Sequence, residues 1–454
     1  MNELKIVIIG GGSVNWMPHL AMDLFLTEEL RGSRLVLVDL NAEAARLMEA
    51  YCKKLGEHVG GGWTVEVADL DTALEGADGV CVSISTGGYD AMHNDYTIPE
   101  RFGIYHSVGD TTGPGGISRT LRNVPVFVEI ARKMEKLCPD VWMVHVTNPL
   151  AQLTRSVWRS SDVRCLGLCH NYTGTRALLA KYFGGELSDI SATSVGVNHF
   201  TWLKDIAFKG KDVSDKLTLD GYWAYEEKKR GRPLRTGTLD DEIAAATGED
   251  QVPQFILNFE FHERYGFFPV GGATHVVESL PYYLNSPEAI KRHGIYRKGV
   301  LPGRREAVER KRGKIVDRVE GREPMPEPER SADMVAAVMA SLCTGKTNHI
   351  VANLPNEGQI SNLPRDVVVE TFAMVTWNRA MPVQSGAVPH PITAMLQPIV
   401  DEEELAVEAA LTGDRKTVEK ALCVSPLVAD KDCVSELAEA LIQANLKWLP
   451  QFTS

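Results

Sequence analysis

The sequence has no apolar run approaching the roughly 20 residues that a helix needs to cross a bilayer. Its opening, MNELKIVIIGGG, passes from a polar tripeptide straight into a strand-like stretch. A membrane partner is not expected. Basic residues are in deficit, 48 Lys and Arg against 60 Asp and Glu for a formal charge of −12. That balance argues against a nucleic-acid partner, because phosphate neutralisation takes clustered basic side chains; a local basic pocket stays permitted. The eight cysteines, at 52, 81, 138, 165, 169, 343, 423 and 433, form no CxxC pair. Neither a structural zinc site nor a disulfide framework is indicated, and the expected setting is the reducing cytoplasm. No internal repeat is found.

What is present is ordinary globular usage, 44% apolar and 24% charged over 454 residues, enough for one large α/β unit or two closely joined domains. Short continuous apolar runs stand at 5–10 (KIVIIG), 34–39 (RLVLVD), 79–85 (GVCVSIS), 142–147 (WMVHVT) and 164–168 (RCLGL), with a shorter one at 64–67 (TVEV). Such runs mark strands buried on both faces of a parallel sheet. Amphipathic stretches at 40–55 and 124–137 lie between them, so the expected fold is α/β, a Rossmann-like doubly wound parallel sheet over residues 1–190. Residues 191–454 are expected to form a second, α+β and helix-rich domain for metal, substrate and oligomer contacts, as in lactate and malate dehydrogenases. The charged stretch at 304–330 reads as a solvated helix and a proline-rich loop, without chemistry.

The run KIVIIG leads into Gly10-Gly11-Gly12-Ser13, with a helix expected from about Pro18. Backbone amides at such a turn can face a pyrophosphate, and the helix N-terminus adds positive potential. Asn15 stands where the GxGxxG fingerprint has its third glycine, so the alternative is a glycine turn without a ligand. Asp39, 27 positions after Gly12, ends the second run, where a carboxylate can accept from both ribose hydroxyls. This favours NAD over NADP, with a helix cap as the other role for Asp39. Gly87, in Ser85-Thr86-Gly87-Gly88, closes the fourth run at the same carboxyl edge.

Further motifs are expected beside a nicotinamide: GDTTGPGGISRTLR at 109–122, a glycine-rich loop with one carboxylate and two arginines; Thr147-Asn148-Pro149; Cys169-His170-Asn171; and Asn198-His199-Phe200 in VGVNHF. A thiolate and an imidazole, Cys169 and His199, suit Mn²⁺, Fe²⁺, Co²⁺ or Zn²⁺ and leave positions for substrate hydroxyls or water. The alternative is a buried small residue and a hydrogen-bonded core histidine. Arg119 is the preferred contact for an anionic substituent on a sugar, with surface salt bridging the other role for it or Arg122.

At these residues the chain resembles glycoside hydrolase family 4, the NAD- and metal-dependent glycosidases. The resemblance runs nearly end to end, through IIGGGS at 8–13, GDTTGPGGISRTLR at 109–122, TNP at 147–149, GLCHN at 167–171, GVNHFTW at 196–202, RYGFFPVGGATHVVES at 264–279 and NLPNEGQISNLP at 353–364. It implies Cys169 and His199 as metal ligands, with Mn²⁺ the expected ion. It also implies Asn148 as a contact to a substrate hydroxyl, and Gly10, Gly12, Ser13 and Asp39 as NAD contacts. Members acting on 6-phosphorylated sugars carry Asp or Asn after the cysteine and those acting on unphosphorylated α-glycosides carry His. His170 therefore implies an unphosphorylated α-hexoside: a galactoside, glucoside, glycuronide or, through the related NAD-dependent sulfoquinovosidases, a sulfoquinovoside. The stretch Gly272-Ala273-Thr274-His275 departs from the Ser-Glu-His or Asp-Arg-His forms of the family.

The implied chemistry is oxidation at C3, deprotonation at C2, elimination of the C1 substituent, water addition and re-reduction, outside the two-carboxylate plan of most glycosidases. Tyr265, Asp110 and His275 are candidates for the C2 base, with core packing, a turn cap and a structural donor as their respective alternatives, and His170 is a candidate to assist the leaving group. The other readings are an NAD-dependent sugar or 2-hydroxy acid dehydrogenase, and a nucleotide-binding protein without catalysis. A homodimer or homotetramer is expected from the family.

Overall fold

A computed structural model describes residues 3–231, 233, 253–295, 297 and 303–453. The apolar runs become six strands, β1 (Lys5–Ile9), β2 (Arg34–Val38), β3 (Thr64–Val67), β4 (Gly79–Val82), β5 (Met143–His145) and β6 (Cys165–Gly167). They pair in parallel in the order β3-β2-β1-β4-β5-β6. This is the doubly wound arrangement, whose order reverses between β1 and β4 and leaves a crevice at the carboxyl ends. Both faces are covered, so no polar alternation is needed. In β1, Ile6 and Ile8 share one core with Met17, Leu20 and Leu24 of the helix Met17–Phe25. Val7 and Ile9 share the other with Ile117, Leu121 and Phe127 of the helix Gly113–Leu137. Each such side chain taken fully from water contributes about 1.5–3 kcal/mol.

The chain then makes an antiparallel sheet from β7 (Ile190–Val197), β8 (Phe200–Phe208), β9 (Lys211–Asp212) and β10 (Phe268–Pro269), with β8 paired to each of the others. Three later strands, β11 (Asn348–Pro355), β12 (Val368–Thr376) and β13 (Arg379–Pro382), return to the main sheet. β11 lies antiparallel to β6 and extends the sheet to nine strands. The main sheet thus runs across the boundary expected at residue 190. The physical reason is the free edge of β6, whose unpaired N–H and C=O groups β11 covers. The helices His390–Thr412, Arg415–Val424 and Val434–Asn445 pack on Gly113–Leu137.

One expectation is corrected. The glycine-rich loop at 109–122 is a loop only as far as Thr112; Gly113 opens a helix of 25 residues. Its glycines serve close packing: a Cβ on Gly116 would lie 2.3 Å from the Thr111 carbonyl. Pro114 suits the first turn, where its missing N–H costs nothing.

Candidate active site

The crevice at the carboxyl ends is built first by β1. Gly10 and Gly11 donate their amides to the Val38 carbonyl at 2.8 and 3.0 Å, and a Cβ on Gly10, at φ +94°, would meet the Ser83 carbonyl at 1.9 Å. Gly12 donates its amide to Asp39 Oδ2 at 2.9 Å, and Asn41 donates to Oδ1 at 2.9 Å. The cap of the following helix Ala42–Val59 is Asn41, which accepts from the Ala44 amide, so Asp39 is not that cap. Ser13 accepts through its carbonyl from the Met17 amide at 3.0 Å and starts the next helix. Gly87, at φ +79°, precedes the helix Gly88–Glu100 beside the ring of Trp448. The glycine turn, Asp39 and Gly87 thus stand at the carboxyl ends of β1, β2 and β4, the edge at which ligands bind in open α/β sheets.

A pocket beyond β5 and β6 is lined by Trp16, Asn148, Cys169, His170, His199 and Asp333. Cys169 follows β6, and His170 precedes the helix Asn171–Phe183 with its ring 6.3 Å from that of Trp16. His199 stands at the tip of the β7–β8 hairpin with φ +63°, a left-handed conformation that costs a residue with a Cβ about 1 kcal/mol. Its Nδ1 lies 2.8 Å from Thr111 Oγ1. The Thr111 hydroxyl donates its one proton to Asp110 Oδ1 at 2.9 Å, so it accepts from His199 Nδ1–H. Nδ1 of His199 is thereby engaged within the protein, which leaves Nε2 as the ring nitrogen that could ligate a metal.

Asp110 is a centre of this arrangement. Asn148 donates Nδ2 to Asp110 Oδ2 at 3.0 Å, and Asp110 Oδ1 lies 3.6 Å from His199 Nδ1. Burial opposes its charge, but His199, Arg119, the Asn148 amide and His275 outweigh that and hold the carboxyl below its usual range. The His275 ring meets the His199 ring edge-on at 4.7 Å. Burial, reinforced by the charge of Glu370, pushes the Cys169 thiol well up, against hydrogen bonds from Asn171 and Asn198. The thiol therefore needs a cation beside it to ionise.

Sequence reasoning did not find the groups behind these side chains. Glu370 of β12, buried at 1% exposure, accepts from Asn198 Nδ2 at 2.7 Å, Asn353 Nδ2 at 2.9 Å and Thr201 Oγ1 at 3.0 Å, tying β11 and β12 to the hairpin that carries His199. Glu278 accepts the amides of Ser107, Val108 and Gly109 at 2.9, 2.7 and 2.7 Å and so shapes the approach to Asp110. Asp333 reaches the pocket because Ser331 donates its amide to Asp23 at 2.8 Å. Glu278 stands in the quoted motif at 264–279 but no spacing singles it out there, and Glu370 and Asp333 belong to none of the quoted motifs.

Arg119 donates Nε to the Asn148 carbonyl at 3.0 Å. Arg122 is buried and donates to the Asp95 carboxylate and to the Thr86 carbonyl; its ion pair is internal, where surface bridging had been one expectation. Tyr265 is not brought into this group by its ring contacts, which are with Trp202 and Phe261 at 6.1 and 6.0 Å. Among the described residues no cluster of three or more His, Cys, Asp or Glu is arranged to hold a metal, so Cys169 and His199 would leave most of an ion's coordination to other donors.

A doubly wound nucleotide-type fold with a thiol and an imidazole in one pocket at its carboxyl edge defines an α/β enzyme that works at the strand ends. The chain belongs to family 4 of the glycosyl hydrolases. The sequence model of that family matches residues 5–184, and that of its C-terminal domain matches 194–428. The chain is 34% identical over 458 residues to an α-galacturonidase of Bacillus subtilis strain 168, covering 98% of each. Its fold is similar to that of lplD of Bacillus subtilis, with a TM-score of 0.81 and 32% identity over 97% of this chain and 100% of that one. The same TM-score is found, at 20% identity and with full coverage of both chains, for a 6-phospho-α-glucosidase from gut microorganisms solved with NAD and Mn²⁺; that likeness concerns the fold alone. Membership of the family makes the chain a glycoside hydrolase and sets aside both the dehydrogenase and the non-catalytic readings. No helix among the described residues is long and apolar enough to cross a membrane.

Proposed function

We propose that this glycosidase hydrolyses an unphosphorylated α-linked galacturonide, using NAD as a bound catalyst and Mn²⁺ held by Cys169 and His199. The observation that carries the reading is the shared pocket of Cys169, His199 and Asn148, with Nδ1 of the histidine engaged by Thr111 beside Asp110. The donor types suit both groups: the Asp39 carboxylate, held at the strand ends by the Gly12 and Asn41 amides, is an acceptor for ribose hydroxyls, and the Cys169 thiol is a soft donor that ionises only beside a cation. When bound, the two supply reversible oxidation at the sugar C3 and Lewis-acid polarisation of its oxygens, which acidifies the C2 proton.

The rest falls to the chain's own side chains. Asp39 takes the ribose hydroxyls. Asn148, aligned by Asp110 and braced through its carbonyl by Arg119, takes a sugar hydroxyl. Asp110 and His275, which border His199, are our first candidates to accept a proton at C2, ahead of Tyr265, and His170, whose ring lies near that of Trp16, is our candidate to assist departure of the aglycone. The galacturonide is favoured by the 34% identity to an α-galacturonidase over almost the whole chain.

The test is a panel of p-nitrophenyl α-glycosides (galacturonide, galactoside, glucoside and sulfoquinovoside) with Mn²⁺ and trace NAD. Fastest release from the galacturonide without accumulating NADH, and solvent deuterium entering at C2, are expected. Release from another glycoside alone overturns the substrate, and stoichiometric NADH overturns the mechanism. Asp110→Asn and His275→Gln separate the two bases, since only loss of the true one abolishes exchange at C2.

A further inference from the structure

The helix Arg304–Val319 carries seven basic and three acidic residues in a chain of formal charge −12. Its inner turn is anchored by Ile315, buried in the core that also holds Met48, Tyr51 and Leu55 of the helix following Asp39, and Arg312 pairs with Glu43 at the start of that helix. At its outer end Arg305 pairs with Asp90, and Arg304 Nη1 reaches Met92 Sδ at 3.4 Å, both on the helix following Gly87. Between these ends, Lys311 donates Nζ to Asn15 Oδ1 at 2.8 Å. The helix therefore crosses from the ribose side of the crevice to the Gly87 side, over the glycine turn.

The contact at Asn15 accounts for the break in the glycine fingerprint, since a third glycine has no side chain to meet Lys311. Exposed ion pairs such as Arg305–Asp90 and Arg312–Glu43 are worth at most about 1 kcal/mol, so they do not by themselves explain so basic a helix here. A diphosphate seated at the N-terminus of Met17–Phe25, beside Asn15, would bring two negative charges next to the Lys311 ammonium. We propose that the helix Arg304–Val319 is the outer wall of the dinucleotide crevice and that Lys311, stationed by Asn15, is the cation that meets the pyrophosphate. The inference rests on the NAD reading above and adds to it a contact from the second half of the chain.

Calorimetric titration of the full-length protein with NAD, ADP-ribose and adenosine tests it, in the wild type, Lys311→Met and Lys311→Arg. The methionine keeps the stem and removes the charge at an exposed position, so the unliganded melting temperature is expected to be unchanged. Loss of one charge-assisted hydrogen bond should raise the Kd for NAD and for ADP-ribose about tenfold, leave adenosine unaffected and flatten the salt dependence of NAD binding; arginine should restore most of the affinity. Equal binding of ADP-ribose by wild type and Lys311→Met, or equal weakening of adenosine, overturns the wall. A wild type that binds no NAD overturns the cofactor reading together with it, and the two failures are thus told apart.

Discussion

His199 occupies a backbone region that favours glycine, and what keeps it there is side-chain chemistry: the Thr111 hydroxyl on its ring, and Glu370 beneath the neighbouring Asn198. Cys169→Ala and His199→Ala are each expected to lower turnover more than about 100-fold while NAD affinity in calorimetry stays within twofold (roughly 0.4 kcal/mol), because the proposed ligands lie outside the glycine turn. Glu370→Gln touches neither proposed ligand, yet it should weaken Mn²⁺ binding about tenfold in a metal titration, the usual scale for a group that orients a ligand. That Cys169, His199 and Asn148 line one pocket could be anticipated because each sits in a short motif at a strand end or turn. Glu370 could not, because it lies about 170 residues from the asparagine it supports, and a buried carboxylate leaves no periodic trace in sequence.

Among the elements, the helix Gly113–Leu137 and the segment before it set the geometry of the site. Glu278 holds three successive amides of that segment; Glu278→Ala should cost about 3 kcal/mol, seen as a lowered melting temperature, because buried donors are left unpaired. Glu402 of the helix His390–Thr412 accepts the Gly113 amide at 2.7 Å, and burial raises its pKa from 4.5 to about 7. A raised carboxyl contributes stability that is complete below about pH 4.5 and is lost as the pH climbs through about 7, in total about 3 kcal/mol. Glu402→Gln keeps an acceptor for Gly113, so it should flatten the fall in melting temperature between about pH 5 and 7. A residual slope of the same sign is expected from Glu403, whose pKa burial also raises. The run of small residues at 113–116 reads as a loop, yet it is a helix packed against Thr111 and Asp95; glycine marks close approach as well as flexibility.

At the scale of the molecule the nine-stranded sheet draws on both halves of the chain, and so do the cores on its two faces. Residues 1–190 alone would expose the edge of β6 and the apolar faces that 335–344 and 390–445 cover. Expressed alone, they are expected to show no cooperative calorimetric transition and to bind a hydrophobic dye, whereas a sharp two-state melt would establish the first half as an autonomous domain.

The sequence by itself determined the parallel strands and their glycine turns, because a strand buried on both faces must be apolar throughout and a backbone that approaches another backbone must lack a Cβ. It also determined the soft donor types, since thiol and imidazole chemistry travels with the residue. Only the tertiary structure decided that β11–β13 complete the first sheet, that Thr111 and Asp110 meet Nδ1 of His199, and that Lys311 of the basic helix reaches Asn15. Those outcomes depend on contacts between residues 88 to 296 positions apart, and such contacts are chosen by the packing of whole elements, which no local pattern encodes.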